Sequence, residues 1–108
     1  MYKNAKSISW PSGLHKPIMQ INLDATAVAK MTGLEFDRVL GDMGYEQLAG
    51  CEIEDFGPVL FQSGEDDPFR NVNIHVDYRY STKAAIEIIS SEFNIPPDLV
   101  LWRREEDD

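Results

Sequence analysis

Residues 71–80 alternate strictly between polar and apolar side chains, and this alternation constrains the fold more than any other segment of the chain. The apolar or aromatic residues take every second position: Val72, Ile74, Val76, Tyr78 and Tyr80. A period of two is that of a β-strand, whose successive side chains point to opposite faces of a sheet. The pattern therefore predicts a sheet that has one face on the hydrophobic core and one polar face.

The segment that follows this strand has the signals of an α-helix. Ser81 stands at the N-cap position of residues 82–93, in which apolar residues recur at helical spacing. Asn94 can adopt the left-handed conformation that ends many helices, and the two prolines after it prevent continuation. Residues 98–102 predict a final strand, which we expect to be covered on both faces because it is mostly apolar.

The chain between the first two predicted strands has the outline of a helical hairpin. Asp24 is the expected N-cap of a first helix at residues 25–31, and Thr32-Gly33 is the expected turn. A second helix is predicted from Leu34 to Met43 and ends at a glycine. Its apolar residues fall on one face: Phe36, Val39, Leu40 and Met43.

Two helices joined by a glycine turn are also the outline of a helix-turn-helix. The predicted second helix, however, carries Glu35, Asp37 and Asp42 against Arg38 alone. DNA binding relies on cationic side chains that neutralise phosphates, so an acidic recognition helix would repel DNA. We therefore expect a packed hairpin, and a helix-turn-helix DNA binder is the third function considered.

Shorter apolar runs predict the remaining strands: residues 18–23, 51–53 and 59–61. Residues 55–58 have the composition of a turn and residues 63–68 that of a loop. We expect residues 1–16 to form an irregular N-terminal arm anchored by Trp10, and residues 104–108 to form an acidic tail.

The expected order of elements is β-α-α-β-β-β-α-β. This order is typical of an α+β domain with a mixed, mostly antiparallel sheet and helices on one face. The last strand, helix and strand would form a βαβ unit with a right-handed crossover. Because the chain has 108 residues and no repeat or break in composition, we predict a single domain, 1–108.

The composition is that of an ordinary globular protein, with 43% hydrophobic residues. The sequence contains no apolar run of about 18 residues that would predict a membrane span, and its N-terminus lacks the apolar stretch of a signal peptide. The single cysteine, Cys51, excludes an internal disulfide and is typical of a reducing compartment. We therefore expect a cytoplasmic protein with no membrane partner.

The net charge of −9 is concentrated in residues 24–67, which we call the acidic block. This block holds eleven acidic residues but only two basic ones, Lys30 and Arg38. A localised block of one sign produces a directional field, which attracts basic partners and disfavours nucleic acid. The alternative is a solvated face whose charge serves only solubility.

Catalytic and metal-binding motifs are weak in this sequence. His75 and Asp77 lie two apart on one strand face, so they could form a nucleophilic triad with Cys51 if Cys51 lay on the adjacent strand. Glu52, next to the thiol, disfavours the thiolate form. His15 and His75 lack the spacing of metal ligands, and the glycines are spaced as turns rather than as a phosphate loop. We expect no catalytic site, no metal and no cofactor.

The remaining interpretation is a small acidic protein-binding module, either a monomer or a homodimer, with a basic protein as its partner. Charge would steer association, and the aromatics Tyr45, Phe56 and Phe61 would supply affinity. Its size and charge are those of immunity proteins and antitoxins that neutralise bacterial nuclease toxins. The predicted partner-binding residues are Glu46, Glu52, Glu54, Asp55, Phe56, Glu65, Asp66 and Asp67. The alternative is a non-catalytic accessory or structural subunit that uses the open sheet face.

Overall fold

The computed structural model describes residues 4–9, 13, 15–42 and 44–105. Within these residues the chain forms seven strands: β1 (Ala5–Ile8), β2 (His15–Ile21), β3 (Asp37–Gly41), β4 (Gly44–Ile53), β5 (Gly57–Gly64), β6 (Val72–Asp77) and β7 (Val100–Arg103). The same part of the chain forms two α-helices, α1 (Ala25–Thr32) and α2 (Thr82–Glu92), and a short 3-10 helix, Pro97–Leu99.

The strands form one sheet in the order β1-β4-β5-β6-β2-β7, and each pair in the described part is antiparallel. β1 pairs with residues 50–53 of β4, and β3 pairs with residues 44–48. The two short strands therefore lie end to end along the same edge of β4. β6 and β7 are both antiparallel to β2, which lies between them, so they are parallel to each other. The predicted βαβ unit is therefore present, with β2 inserted between its two strands.

One face of the sheet, which we call the inner face, carries the hydrophobic core and is covered by both helices. Ala49, Val59, Phe61 and Ile74 lie on this face and are buried. Phe61 meets Phe93, at the end of α2, edge to face with ring centroids 5.5 Å apart. Full burial of a side chain of this size contributes about 1.5–3 kcal/mol to folding. The predicted α+β class, with helices on one face, is confirmed.

The predicted helix caps of α1 and α2 are confirmed. The Asp24 carboxylate accepts the Ala27 backbone N–H at 2.9 Å, and Gly33 ends α1 in the left-handed conformation at φ 75°. The Ser81 hydroxyl accepts the Ala84 N–H at 3.2 Å, and Asn94 is left-handed at φ 52°. Both helices therefore begin where a side chain satisfies a backbone donor that has no partner within the helix.

The prediction of a second helix at residues 34–43 is wrong. Residues 37–41 form β3, an edge strand in a hairpin with β4 that pairs Asp37 with Leu48 and Leu40 with Tyr45. Met43 lies outside the described residues. The backbone hydrogen bonds offered by β4 outweigh a weak local helical preference, as tertiary pairing commonly does. The geometry needed for a helix-turn-helix is therefore absent from the described part of the chain.

The irregular arm predicted at residues 1–16 is also wrong where the structure describes it. Residues 5–8 form β1, whose Ala5 lies opposite Ile53 in the core, and β2 already begins at His15. A segment of four residues is too short for its sequence to show the alternation of a β-strand. The strand forms because β4 offers it backbone hydrogen-bond partners. Trp10, the predicted anchor, lies outside the described residues, as does most of the acidic tail.

The structure also corrects the bounds and surroundings of several strands. β7 is not covered on both faces: it lies at the edge of the sheet, with Leu101 51% and Trp102 45% exposed. β6 ends at Asp77, since the Asp77 carboxylate accepts the Arg79 N–H and turns the chain there. β4 and β5 are longer than predicted, and residues 63–64 belong to β5 rather than to the loop.

Candidate functional site

The eight predicted partner-binding residues do not form one surface, because they lie at opposite ends of the β4–β5 pair. One group surrounds the turn between the two strands and is called the turn end: Glu52, Glu54, Asp55 and Phe56. The other group lies at or just beyond the far ends of the same strands and is called the loop end: Glu46, Glu65, Asp66 and Asp67. β5 has eight residues, so about 23 Å separates the two ends.

At the turn end, the predicted anchor is already engaged within the fold. The Phe56 ring meets the Tyr80 ring edge to face, with centroids 5.1 Å apart, and packs against the core. Glu52 forms an ion pair with Lys6, with 3.5 Å between the carboxylate oxygen and Nζ. Glu54 and Asp55 are exposed beside an open cleft of about 650 Å³. The turn end therefore exposes carboxylates, but its aromatic ring, Phe56, packs against the protein's own core.

At the loop end, Glu65 joins the loop to the β3–β4 hairpin. Its carboxylate accepts hydrogen bonds from Arg38 Nε at 2.9 and 3.1 Å and from Gln47 Nε2 at 2.7 Å. The hydrogen bond from Arg38, followed by that from Gln47, lowers the pKa of Glu65. The Arg38 guanidinium also lies 3.6 Å from the centroid of the Tyr45 ring, which is a cation–π arrangement. Glu65 is thus a structural carboxylate rather than a free charge.

The loop end also exposes apolar side chains. Leu40 is 67%, Tyr45 42% and Phe69 78% exposed. Leu40 and Tyr45 are cross-strand partners in the hairpin, and the Tyr45 carbonyl accepts the Glu65 N–H at 2.9 Å. Large exposed apolar residues beside polar ones are typical of protein interaction sites.

The loop that carries Phe69 is held in a defined shape. The Asp67 carboxylate accepts the Phe69 N–H at 2.9 Å, and the Arg70 N–H donates to the Asp67 carbonyl at 3.1 Å. Asp42 and Asp66 are exposed nearby, and neither forms an ion pair with another residue that the structure describes. The loop end therefore combines exposed rings with uncompensated negative charge.

Sequence reasoning missed two residues of this surface. The sequence predicts Leu40 on the apolar face of a helix that does not form, whereas β3 leaves it exposed. Phe69 follows Pro68 in a polar loop, and an apolar residue in such a context is the signal that would have found it. In contrast, Phe61, which was expected to contribute affinity, is completely buried and cannot contact a partner.

The triad considered for Cys51, His75 and Asp77 is not assembled. Cys51 lies on the inner face, where burial, followed by the charge of Glu92, raises the pKa of its thiol to about 12. His75 and Asp77 share the opposite face, as expected, but the Asp77 carboxylate binds Arg79 at 2.9 and 3.0 Å. A buried, protonated thiol on the far side of the sheet cannot be activated by this histidine.

The two histidines meet on the outer face of the sheet, which is the face opposite the helices. The Nδ1 atoms of His15 and His75 lie 3.1 Å apart, with one ring edge-on to the other. Burial, followed by the charge of His15, lowers the pKa of His75 to about 4, so its imidazole is neutral at pH 7. Among the described residues, no group of three or more His, Cys, Asp or Glu side chains is placed to hold a metal ion.

Within the described residues, neither helix is long and apolar enough to cross a membrane. Comparison with models of protein families, with curated proteins and with solved structures gives no match to this chain. The geometry of the chain itself therefore indicates the site. The loop end is the surface that combines exposed aromatic side chains with predicted acidic residues.

Proposed function

We propose that this protein is a small, non-catalytic, acidic protein-binding module that engages a basic protein partner through the loop end. The observation that carries the proposal is the exposure of Leu40, Tyr45 and Phe69 beside the carboxylates of Asp42 and Asp66, which form no ion pair with another described residue. Interfaces commonly place a few aromatic anchors at the centre of a polar rim, and those anchors carry most of the affinity.

The charge of the chain supports the same partner chemistry. A net charge of −9, concentrated in the acidic block, produces a field that accelerates encounter with a cationic surface. Salt screens such a field, so the association rate should fall as ionic strength rises. The exposed rings then slow dissociation, because removing their apolar area from water stabilises the complex.

The specific form of the proposal is an inhibitor of the immunity or antitoxin type. A nuclease toxin must bind phosphates and therefore carries a cationic cleft. A small acidic domain with an aromatic centre would cover that cleft and block access of nucleic acid. The single cysteine is a buried free thiol, which is compatible with the cytoplasmic location included in this proposal.

Two variants with equal loss of charge test the position of the site. The loop-end variant carries Asp42→Asn, Asp66→Asn and Asp67→Asn, and the turn-end variant carries Glu52→Gln, Glu54→Gln and Asp55→Asn. Each variant removes three negative charges, and Asn tolerates the left-handed backbone of Asp55 at φ 64°. Wild-type protein and both variants are immobilised and exposed at low salt to a lysate of the source organism, and retained proteins are identified by mass spectrometry.

The proposal expects a basic protein that is retained by the wild type and the turn-end variant. The loop-end variant should associate with it about tenfold more slowly at low salt, with the difference disappearing at high salt. Phe69→Ala should accelerate dissociation by about tenfold or more. An acidic partner, or equal loss of binding in both charge variants, would contradict the proposal.

The exposed edge strand favours a second candidate, a homodimeric accessory or structural subunit. β7 has only β2 as a neighbour in the described sheet, and it exposes Leu101 and Trp102. An unpaired edge of this kind is a template for strand addition by a second copy. Sedimentation equilibrium distinguishes the candidates, since a dimer that dissociates on Leu101→Lys substitution would favour the subunit.

A further inference from the structure

Three amide side chains and one indole form a row across the outer face of the sheet. Gln62 on β5 lies opposite Asn73 on β6, Asn73 lies opposite Gln20 on β2, and Gln20 lies opposite Trp102 on β7. Neighbouring strands are about 4.8 Å apart, so the row spans four strands in an unbroken line. None of these four residues belongs to the loop end, although Gln62 at one end of the row hydrogen-bonds to Glu46, which does.

The row lies in a groove of about 350 Å³. Its lining is completed by Pro17 and by His75. The three amides are half-buried, whereas Trp102 remains 45% exposed. This volume is at the small end of the range for ligand pockets, about 300–1,000 Å³, which limits the ligand to a small molecule.

Hydrogen bonds orient one end of the row. Asn73 Nδ2 donates to Gln62 Oε1 at 3.1 Å, and Gln62 Nε2 donates to Glu46 Oε1 at 2.8 Å. The Asn73 carbonyl oxygen accepts no hydrogen bond from another described residue, so it remains available as an acceptor. The orientation of the amide is therefore set before any ligand arrives, which reduces the entropy lost on binding.

The other polar groups of the groove have unused hydrogen-bonding capacity. The Gln20 amide forms no hydrogen bond with another described residue, so both its donor and its acceptor are available. His75 Nε2 is buried and has no hydrogen-bond partner among the described residues. Because this atom is buried, it is shielded from a ligand in the groove, and the Gln20 amide is the polar group that remains available.

We propose that this groove binds a nucleobase, either free or as a nucleoside, stacked on Trp102 and hydrogen-bonded at its edge by Gln20 and Asn73. Aromatic side chains stack on any base because every base has a π-face. Glutamine and asparagine amides carry a donor and an acceptor side by side, which matches the donor–acceptor pair at a base edge. This inference is independent of the loop end and goes beyond the proposed protein-binding function.

The charge of the protein restricts the ligand further. With a net charge of −9, the chain repels a polyanion, so a neutral base or nucleoside is favoured over a nucleic acid strand. His75 lines the groove wall and adds no charge there, because its depressed pKa keeps the imidazole neutral at pH 7. The groove therefore presents one flat apolar surface and neutral polar groups.

The test uses the full chain and proton–nitrogen NMR spectra, in which the side-chain amides and the indole N–H give separate signals. Adenosine and uridine are titrated to about 10 mM, a range in which weak, millimolar binding is detected. N-acetylglucosamine is the comparison probe, since a sugar also packs on an indole. We expect one or both nucleosides to shift the signals of Gln20, Asn73 and Trp102, and the sugar to leave them unchanged.

Variants separate stacking from hydrogen bonding. Trp102→Leu should weaken nucleoside binding about tenfold, whereas Trp102→Phe should retain most of it because the π-face is kept. Gln20→Met has nearly the same shape but lacks the donor and the acceptor, and it should also weaken binding about tenfold. Phe69→Ala should bind nucleosides like the wild type, because it belongs to the loop end.

Three results would overturn the inference. These are no shift with either nucleoside, equal shifts with N-acetylglucosamine, and unchanged affinity in both Trp102→Leu and Gln20→Met. The amide spectrum of each variant reports whether the fold is intact, and Gln20→Met keeps the test decisive if Trp102→Leu unfolds. Because Phe69→Ala tests the loop end separately, failure here is distinguishable from failure of the proposed protein-binding function.

Discussion

Cys51 and His75 lie on opposite faces of the sheet, although only β5 separates their strands. Cys51 is the cross-strand partner of Val59, and His75 is the partner of Leu60. Val59 and Leu60 are neighbours in one strand, so their side chains point to opposite faces. A difference of one residue in register thus keeps the thiol in the core and the imidazole on the outer face.

The first prediction concerns the reactivity of this thiol. Burial raises the pKa of Cys51 to about 12, and the thiolate is the reactive form, so a disulfide reagent should not modify the native protein at pH 8. Modification should require unfolding and should become fast in urea. Its rate is measured from the absorbance of the thiolate that the reagent releases. Glutathione under the same conditions is the control, and a native rate close to that of glutathione would contradict the prediction.

The same burial predicts how stability responds to alkaline pH. The pKa of Cys51 is higher in the folded chain than its ordinary value of 9.0, so the unfolded chain loses this proton first as pH rises. The contribution of this thiol to the free energy of unfolding is therefore fully present below pH 9 and decreases above it. Cys51→Ala should remove that decrease, and urea unfolding between pH 8 and pH 10.5 compares the two proteins. An identical decrease in both would assign it to other groups.

The third prediction concerns acid. Burial, followed by the charge of His15, lowers the pKa of His75 from 6.5 to about 4. The unfolded chain therefore binds a proton at this residue before the folded chain does, so stability should fall as pH decreases from 6.5 to 4. The slope from one such group is at most about 1.4 kcal/mol per pH unit. Urea unfolding of the wild type and of His75→Gln should show this slope only in the wild type.

Asp77 provides an internal check on that assignment. The hydrogen bonds from Arg79 lower the pKa of Asp77 to about 2, from 3.8. The stabilisation that Asp77 contributes is present above pH 3.8 and is lost as pH falls toward 2. This loss occurs below the range from pH 6.5 to 4 in which His75 acts. If His75→Gln loses stability between pH 6.5 and 4 as steeply as the wild type, the imidazole is not the responsible group.

The fourth prediction compares the first and last glycines of β5. Gly57 has φ 133°, a conformation that residues with a Cβ rarely adopt, and an added Cβ would lie 2.5 Å from Tyr80 Oη. Gly57→Ala should therefore lower the free energy of unfolding by about 2 kcal/mol. Gly64 has open space around the corresponding position, and Gly64→Ala should be close to neutral. Thermal unfolding measures both, and equal effects would contradict the backbone argument.

The fifth prediction separates function from stability at two phenylalanines. Phe69 is exposed at the loop end, so Phe69→Ala should change the free energy of unfolding by less than about 0.5 kcal/mol. Phe61 is completely buried, so Phe61→Ala should cost about 3–5 kcal/mol. Urea unfolding provides both values. A large loss of stability in Phe69→Ala would mean that the ring supports the fold, and would weaken its assignment as a partner anchor.

The sequence by itself determined the parts of this protein whose signals are local. The alternation of Val72, Ile74 and Val76 identified β6 and its buried face, and Asp24 and Ser81 marked the starts of both helices. These signals need only neighbouring residues, because the pleat of a strand and the capping of a helix are properties of short segments. The α+β class follows from them.

Tertiary structure decided everything that depends on register between distant segments. Residues 37–41 became β3 because β4 offers backbone partners, which exposed Leu40 beside Tyr45. The sequence located acidic residues such as Asp66 in one block, but the length of β5 divided that block into two ends. The row from Gln62 to Trp102 likewise exists only through strand pairing. Such pairings join residues far apart in the chain, so no local pattern encodes them.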